Sequence, residues 1–199
     1  MGAFGYKMEK ENYNPDADLP KINNNPRKFR NGIMLALLEH GSVIVLTVLL
    51  FITFSSYNRA LGIIWLIFRT GEGLIQFINE PNYWGLLNIA REYANSNGAE
   101  KKSLSDLALT IFSKKDNRFK IAMICWSFGT LSFSIVLVTS GIVPEIVGWF
   151  GIASSIIVGF TTGIKLAKPK SKDFTAIGGL SAILFEVIIG VLLAYYSII

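Results

Sequence analysis

Five ionisable side chains fall inside stretches that are otherwise apolar: Glu39, His40, Arg69, Glu72 and Glu186. A charge at the centre of a bilayer costs ~3 kcal/mol on insertion scales, so such groups pair with one another or line a polar cavity. Arg69 and Glu72 are three apart, which puts them on one helix face. At ~1.5 Å of rise per residue, Glu39 lies about 9 Å into its run. Glu72 and Arg69 lie about 10 and 15 Å from the end of theirs, and Glu186 about 18 Å along the last run. Antiparallel helices would bring these residues into one layer, which predicts a polar cluster in the cytoplasmic half of the membrane. Three carboxylates facing one guanidinium and one histidine suit a proton or ligand pathway. They suit equally a static hydrogen-bonded core that fixes helix register.

Other chemistries find less support. Walker, dinucleotide and nucleophile-elbow motifs are absent, and Gly71-Glu72-Gly73 is too short to cradle a phosphate. One histidine and one cysteine, Cys125, give no metal-ligand spacing and no intramolecular disulfide. The reading is therefore of a protein with no catalytic residues, no metal and no cofactor.

The elements that must position the cluster are long apolar runs at 33–55, 60–79, 119–140, 144–167 and 174–198. Each approaches or exceeds the ~20 residues that cross a bilayer as a helix, and all are too long for barrel strands. The 199-residue chain is 51% hydrophobic and only 17% charged. Its mean hydropathy is +0.45. These values exclude a disordered chain and a typical soluble enzyme. The fold class is an all-α polytopic bundle of five transmembrane helices, residues 33–199. Short links at 56–59 and 141–143 make antiparallel neighbours.

The net charge of +5 is not a nucleic-acid signal, because it is concentrated in a tail and two loops. Arg27, Lys28 and Arg30 end the tail. Arg91, Lys101, Lys102, Lys114, Lys115 and Arg118 occupy loop 80–118. Lys165, Lys168, Lys170 and Lys172 flank the last loop, whereas the opposite side has only Arg59. This alternation predicts a multi-pass cell-membrane protein with a cytoplasmic N-terminus and an external C-terminus.

Residues 1–32 read as a polar, flexible cytoplasmic tail without apolar periodicity, and not as a signal peptide. In loop 80–118, Tyr83, Leu86, Leu87, Ala90 and Tyr93 share a helical face. Ser103-Leu104-Ser105-Asp106 resembles a capping box opening a second amphipathic stretch, so two short interfacial helices are expected. Pro144 suits the first position of a helix, followed by Glu145 at its positive end. Gly151, Ser155 and Gly159 form a small-residue packing face suited to another helix of this chain or of another subunit.

Three stretches then resemble the integral membrane family of unknown function DUF4386. They are Phe68-Arg69-Thr70-Gly71-Glu72, the hairpin Ser140-Gly141-Ile142-Val143-Pro144 through Trp149-Phe150-Gly151, and Leu184-Phe185-Glu186-Val187. Glu39 falls where such proteins commonly carry an acid. The resemblance covers roughly 33–198 and implies a fold but no activity. Two departures stand out: a polar tail replaces an additional first transmembrane helix, and Glu145 follows the hairpin proline where a basic residue is common. A missing helix would leave a groove for another subunit. The expected partners are thus the lipid bilayer and other membrane subunits, with no nucleic acid. The expected function is an accessory or assembly subunit of a larger membrane complex. The alternative is a small transporter or proton-coupled carrier using the Glu/Arg cluster.

Overall fold

The computed structural model describes residues 13–169 and 174–196. The first twelve residues of the tail, and Lys170 and Lys172 of the last loop, lie outside the described residues. Helices α1 (Pro15–Asn24), α2 (Pro26–Phe54) and α3 (Arg59–Asn79) are followed by a short 3-10 turn, Glu80–Tyr83. Then come α4 (Trp84–Asn95), α5 (Gly98–Ser140), α6 (Glu145–Ala167) and α7 (Thr175–Tyr196). No strand occurs among the described residues. Among the described residues five helices are long and apolar enough to cross a membrane, and the chain is a multi-pass integral membrane protein.

The chain divides into two compact units. The first holds residues 1–42 and 74–119, the second 43–73 and 120–199. The first corrects the expectation of a flexible tail. Asn14 accepts a hydrogen bond from the Asp16 N–H (3.1 Å), and Asp18 accepts one from the Asn14 N–H (3.0 Å). With Pro15 opening the helix and Asp16 and Asp18 in its first turn, α1 has strong start signals. Leu19, Ile22 and Phe29 are buried with Tyr83, Leu86, Ala90 and Phe112. Two apolar side chains of α1, Leu19 and Ile22, with Phe29 beyond Pro26 in α2, are too few to register as a period, but α1 docks on α4. The Tyr93 hydroxyl donates to the Asp16 carboxylate. Tyr13 stacks on Phe112 at 3.8 Å between ring centroids.

The second expected loop helix is not a separate element. Ser103 to Asp106 lie inside α5, which runs unbroken from Gly98 to Ser140. No glycine or proline occurs between 99 and 128, so nothing stops the helix. Pro144 caps α6 from outside, and Glu145 is its first residue.

In the second unit, neighbouring helices are antiparallel. Trp65 meets Phe133 (4.5 Å) and Phe68 meets Phe128 (5.3 Å), so α3 and α5 run in opposite directions. The Trp65 indole N–H donates to the Thr47 carbonyl of α2 at 3.1 Å. Between α6 and α7, Gly151 abuts Phe185, and the Ser154 hydroxyl donates to that of Ser181 at 3.1 Å. Lipid offers no hydrophobic drive for helix association, so close approach over small residues and interhelical hydrogen bonds hold such a bundle.

The docking of α1 is directly testable. Leu19→Ala should weaken its packing by ~2–5 kcal/mol, the usual cost of truncating a buried leucine. Hydrogen exchange in detergent should show protection lost over 15–24 while α5–α7 stay protected.

Candidate functional site

Arg69 projects from α3 into the second unit. Trp65, four residues earlier, shares its face. The Arg69 guanidinium carbon lies 5.4 Å from the centre of the Trp65 ring and 5.9 Å from that of Trp126 on α5, within cation–π range. Its Nη1 is 2.7 Å from Glu72 Oε2, and its Nη2 donates to Glu186 Oε1 at 3.0 Å. The Trp126 indole N–H donates to the same Glu186 oxygen at 2.8 Å. Arg69 and Glu72 are buried, whereas the Glu186 side chain remains 48% exposed.

Gly129 makes this arrangement possible. A Cβ there would lie 2.7 Å from Arg69 Cγ, so only a glycine lets the arginine stem cross α5. The site is thus one guanidinium between two carboxylates and two indoles, with α3, α5 and α7 each contributing. It binds a cation firmly in place and leaves one carboxylate with an open flank.

The model of one protein family, Domain of unknown function (DUF4386), matches residues 5–194. The chain belongs to this family. The match reaches back through the tail, so α1 is part of the family domain rather than an appendage preceding it. No curated protein and no solved structure matches the chain.

In this DUF4386 chain Arg69, Glu72 and Glu186 meet within the second unit, and Glu39 and His40 fall in the first. Glu39 is exposed on α2. His40 Nε2 lies 3.7 Å from Glu80 Oε1 in the first unit. Depth along a helix fixes only a layer. The azimuth around the helix decides which neighbour a side chain meets, and adjacent Glu39 and His40 point to different parts of the surface.

A second polar cluster went unread in the sequence. Glu80 is buried in the turn after α3, and Lys115 Nζ donates to its Oε1 at 2.9 Å. The ammonium also sits 3.6 Å from the centre of the Tyr83 ring. The Asn79 side-chain amide donates to the Lys115 carbonyl at 3.3 Å. Both residues lie in the 80–118 segment between spans. Burial acts to raise the Glu80 pKa, but the neighbouring His40 and Lys115 outweigh it and hold the carboxyl below its ordinary 4.5. Burial in turn pulls Lys115 below its ordinary value, with Glu80 opposing that shift. The sequence signal was weak because Glu80-Pro81 reads as a loop start and Lys115 as one of six basic residues in the loop.

The small-residue face of α6 is turned inward. A Cβ at Gly159 would meet Ser127 Oγ at 2.5 Å, Gly151 abuts Ser134 and Phe185, and the Ser155 carbonyl accepts from Ser127 Oγ at 2.6 Å. These residues pack against α5 and α7 of this chain.

Two outcomes follow. Arg69→Met should lower stability by ~3–5 kcal/mol, because it leaves buried carboxylate uncompensated. Arg69→Met/Glu72→Gln/Glu186→Gln should regain most of the loss in thermal unfolding in detergent. For Glu80, a pKa below its unfolded value means that its stabilisation is complete above pH 4.5 and fades as acidification passes the folded value. Exchange protection in the first unit should fall below pH 4.5, with a shallower fall in Glu80→Gln.

Proposed function

We propose that this protein is an accessory subunit of a larger membrane complex, and that α7 is the helix by which it docks. The observation that carries this reading is the half-exposed Glu186 carboxylate at the middle of a span. It lies about 16 Å from one end of α7 and about 15 Å from the other. Hydrocarbon is a costly neighbour for a charge at that depth. A polar group on a neighbouring protein helix would cover it.

The rest of that α7 face supports the reading. Gly179, Ile183, Glu186 and Gly190 recur at intervals of four, three and four, along one stripe. Ile183 is 61% exposed, and a Cβ at Gly179 or Gly190 would meet nothing within 4 Å. Small residues flanking a polar one suit close approach of another helix. With the Gly151 face used internally, this stripe replaces it as the docking surface. The N-terminus is assigned to the cytoplasm of the cell membrane by the placement of lysine and arginine.

The carrier alternative draws on the same carboxylate. A proton or small cation reaching Glu186 would compete with Arg69 and Trp126 for its oxygens, the coupling a carrier needs.

Mild-detergent purification from native membranes, with mass spectrometry of what co-elutes, separates the two. A stoichiometric membrane partner is expected with the wild-type chain. Gly179→Leu/Gly190→Leu should fold normally, since both positions are open, yet lose the partner. A lone monomer or homodimer contradicts the subunit reading. In that case proton flux into liposomes, abolished by Glu186→Gln, would support the carrier.

A further inference from the structure

Separate from the α7 face, the first unit contains a cleft of about 620 Å³ between α1, the first turns of α2, and α4. It is lined by Ile22 and Asn23 of α1, Arg30 of α2, and Trp84, Asn88 and Arg91 of α4. Both arginines are exposed, and neither has an ion-pair partner among the described residues. Two free guanidiniums beside two carboxamides form a donor set for a phosphate, which an arginine grips in a bidentate fork.

The cleft's position narrows the ligand. Arg30 lies three residues before Ile33, where the apolar run of α2 begins, about 4.5 Å along the helix. That is the depth of lipid headgroups. Trp84 is 37% exposed beside it, an amphipathic ring of the kind enriched at this level of a membrane. The lining thus combines two guanidiniums and two carboxamides with an indole and aliphatic side chains, the mixture that suits a phosphate with its glycerol. We propose that this cleft binds the phosphate of an anionic phospholipid headgroup, gripped by Arg30 and Arg91, with Trp84 against the glycerol region. Basic pockets beside transmembrane helices are suited to this use.

Native mass spectrometry of the full chain in detergent tests the assignment. Phosphatidylglycerol and phosphatidylcholine would be titrated in parallel, with inorganic phosphate as the soluble competitor. The wild-type chain is expected to retain one phosphatidylglycerol at a concentration at least about tenfold below that needed for phosphatidylcholine, given a charge-assisted bidentate contact. Arg30→Gln/Arg91→Gln should abolish the preference. Lys102→Gln/Lys114→Gln, which removes the same charge from exposed positions outside the cleft, should keep it. Equal retention of the two lipids by the wild-type chain would overturn the proposal. So would a preference that survives in the arginine variant, or complete displacement of phosphatidylglycerol by inorganic phosphate at equal concentration, which would mark the ligand as a soluble phosphate.

Discussion

A guanidinium within a membrane span is the constraint around which the second unit is built. Arginine keeps its proton under all ordinary conditions, so Arg69 cannot escape its charge by neutralising. The bundle answers with Glu72 one turn away, Glu186 from α7, and the ring faces of Trp65 and Trp126. Each answer fixes a helix. The Glu186 contact sets the register of α7 against α3, and the Trp126 hydrogen bond ties α5 to the same oxygen. Gly129 is the steric complement of this arrangement, since the arginine stem occupies the place of a side chain there.

The two units rest on different physics. The first has a core of aromatic and aliphatic side chains from the tail, α4 and the early part of α5, with a buried Glu80–Lys115 pair at its edge. Such a core gains from the removal of apolar surface from water. The second unit exposes large aliphatic residues such as Leu49, Ile52, Ile156, Ile183 and Val187, as a lipid-facing bundle does. Its cohesion comes from a buried cluster that includes Phe54, Trp65, Phe133, Leu137 and Phe185, from serine and glycine contacts between helices, and from Arg69. An unpaired polar group is costlier in this second setting, which is why the proposed docking rests on the open flank of Glu186.

The five spans were legible in the sequence because apolar length alone specifies them. Their ends were less so. The span signal stops where charge begins, but the helices continue: α2 starts at Pro26 and α5 at Gly98, since charged residues are good helix formers and no breaker intervenes. The order of α1 was hidden because two buried apolar side chains, Leu19 and Ile22, in a helix with Pro15 and Pro20 make no visible period. For the site, the Arg69–Glu72 spacing and the depth of Glu186 pointed to a real meeting. Glu39 and His40 fall in the first unit, a division that depth along a helix does not reveal. Trp65 was readable four residues from Arg69. Trp126 and Gly129 were not, because their roles depend on how α5 packs against α3 and α7.

The central claim is that Glu186 faces protein rather than hydrocarbon or water. Its most direct test is a photo-activated cross-linking side chain placed at Ile183 or Val187, beside Glu186 on α7, and irradiated in native membranes. The account predicts a single, discrete adduct to one membrane protein from Ile183. Adducts confined to lipid, or quenching by water at both positions with no protein adduct, would contradict it.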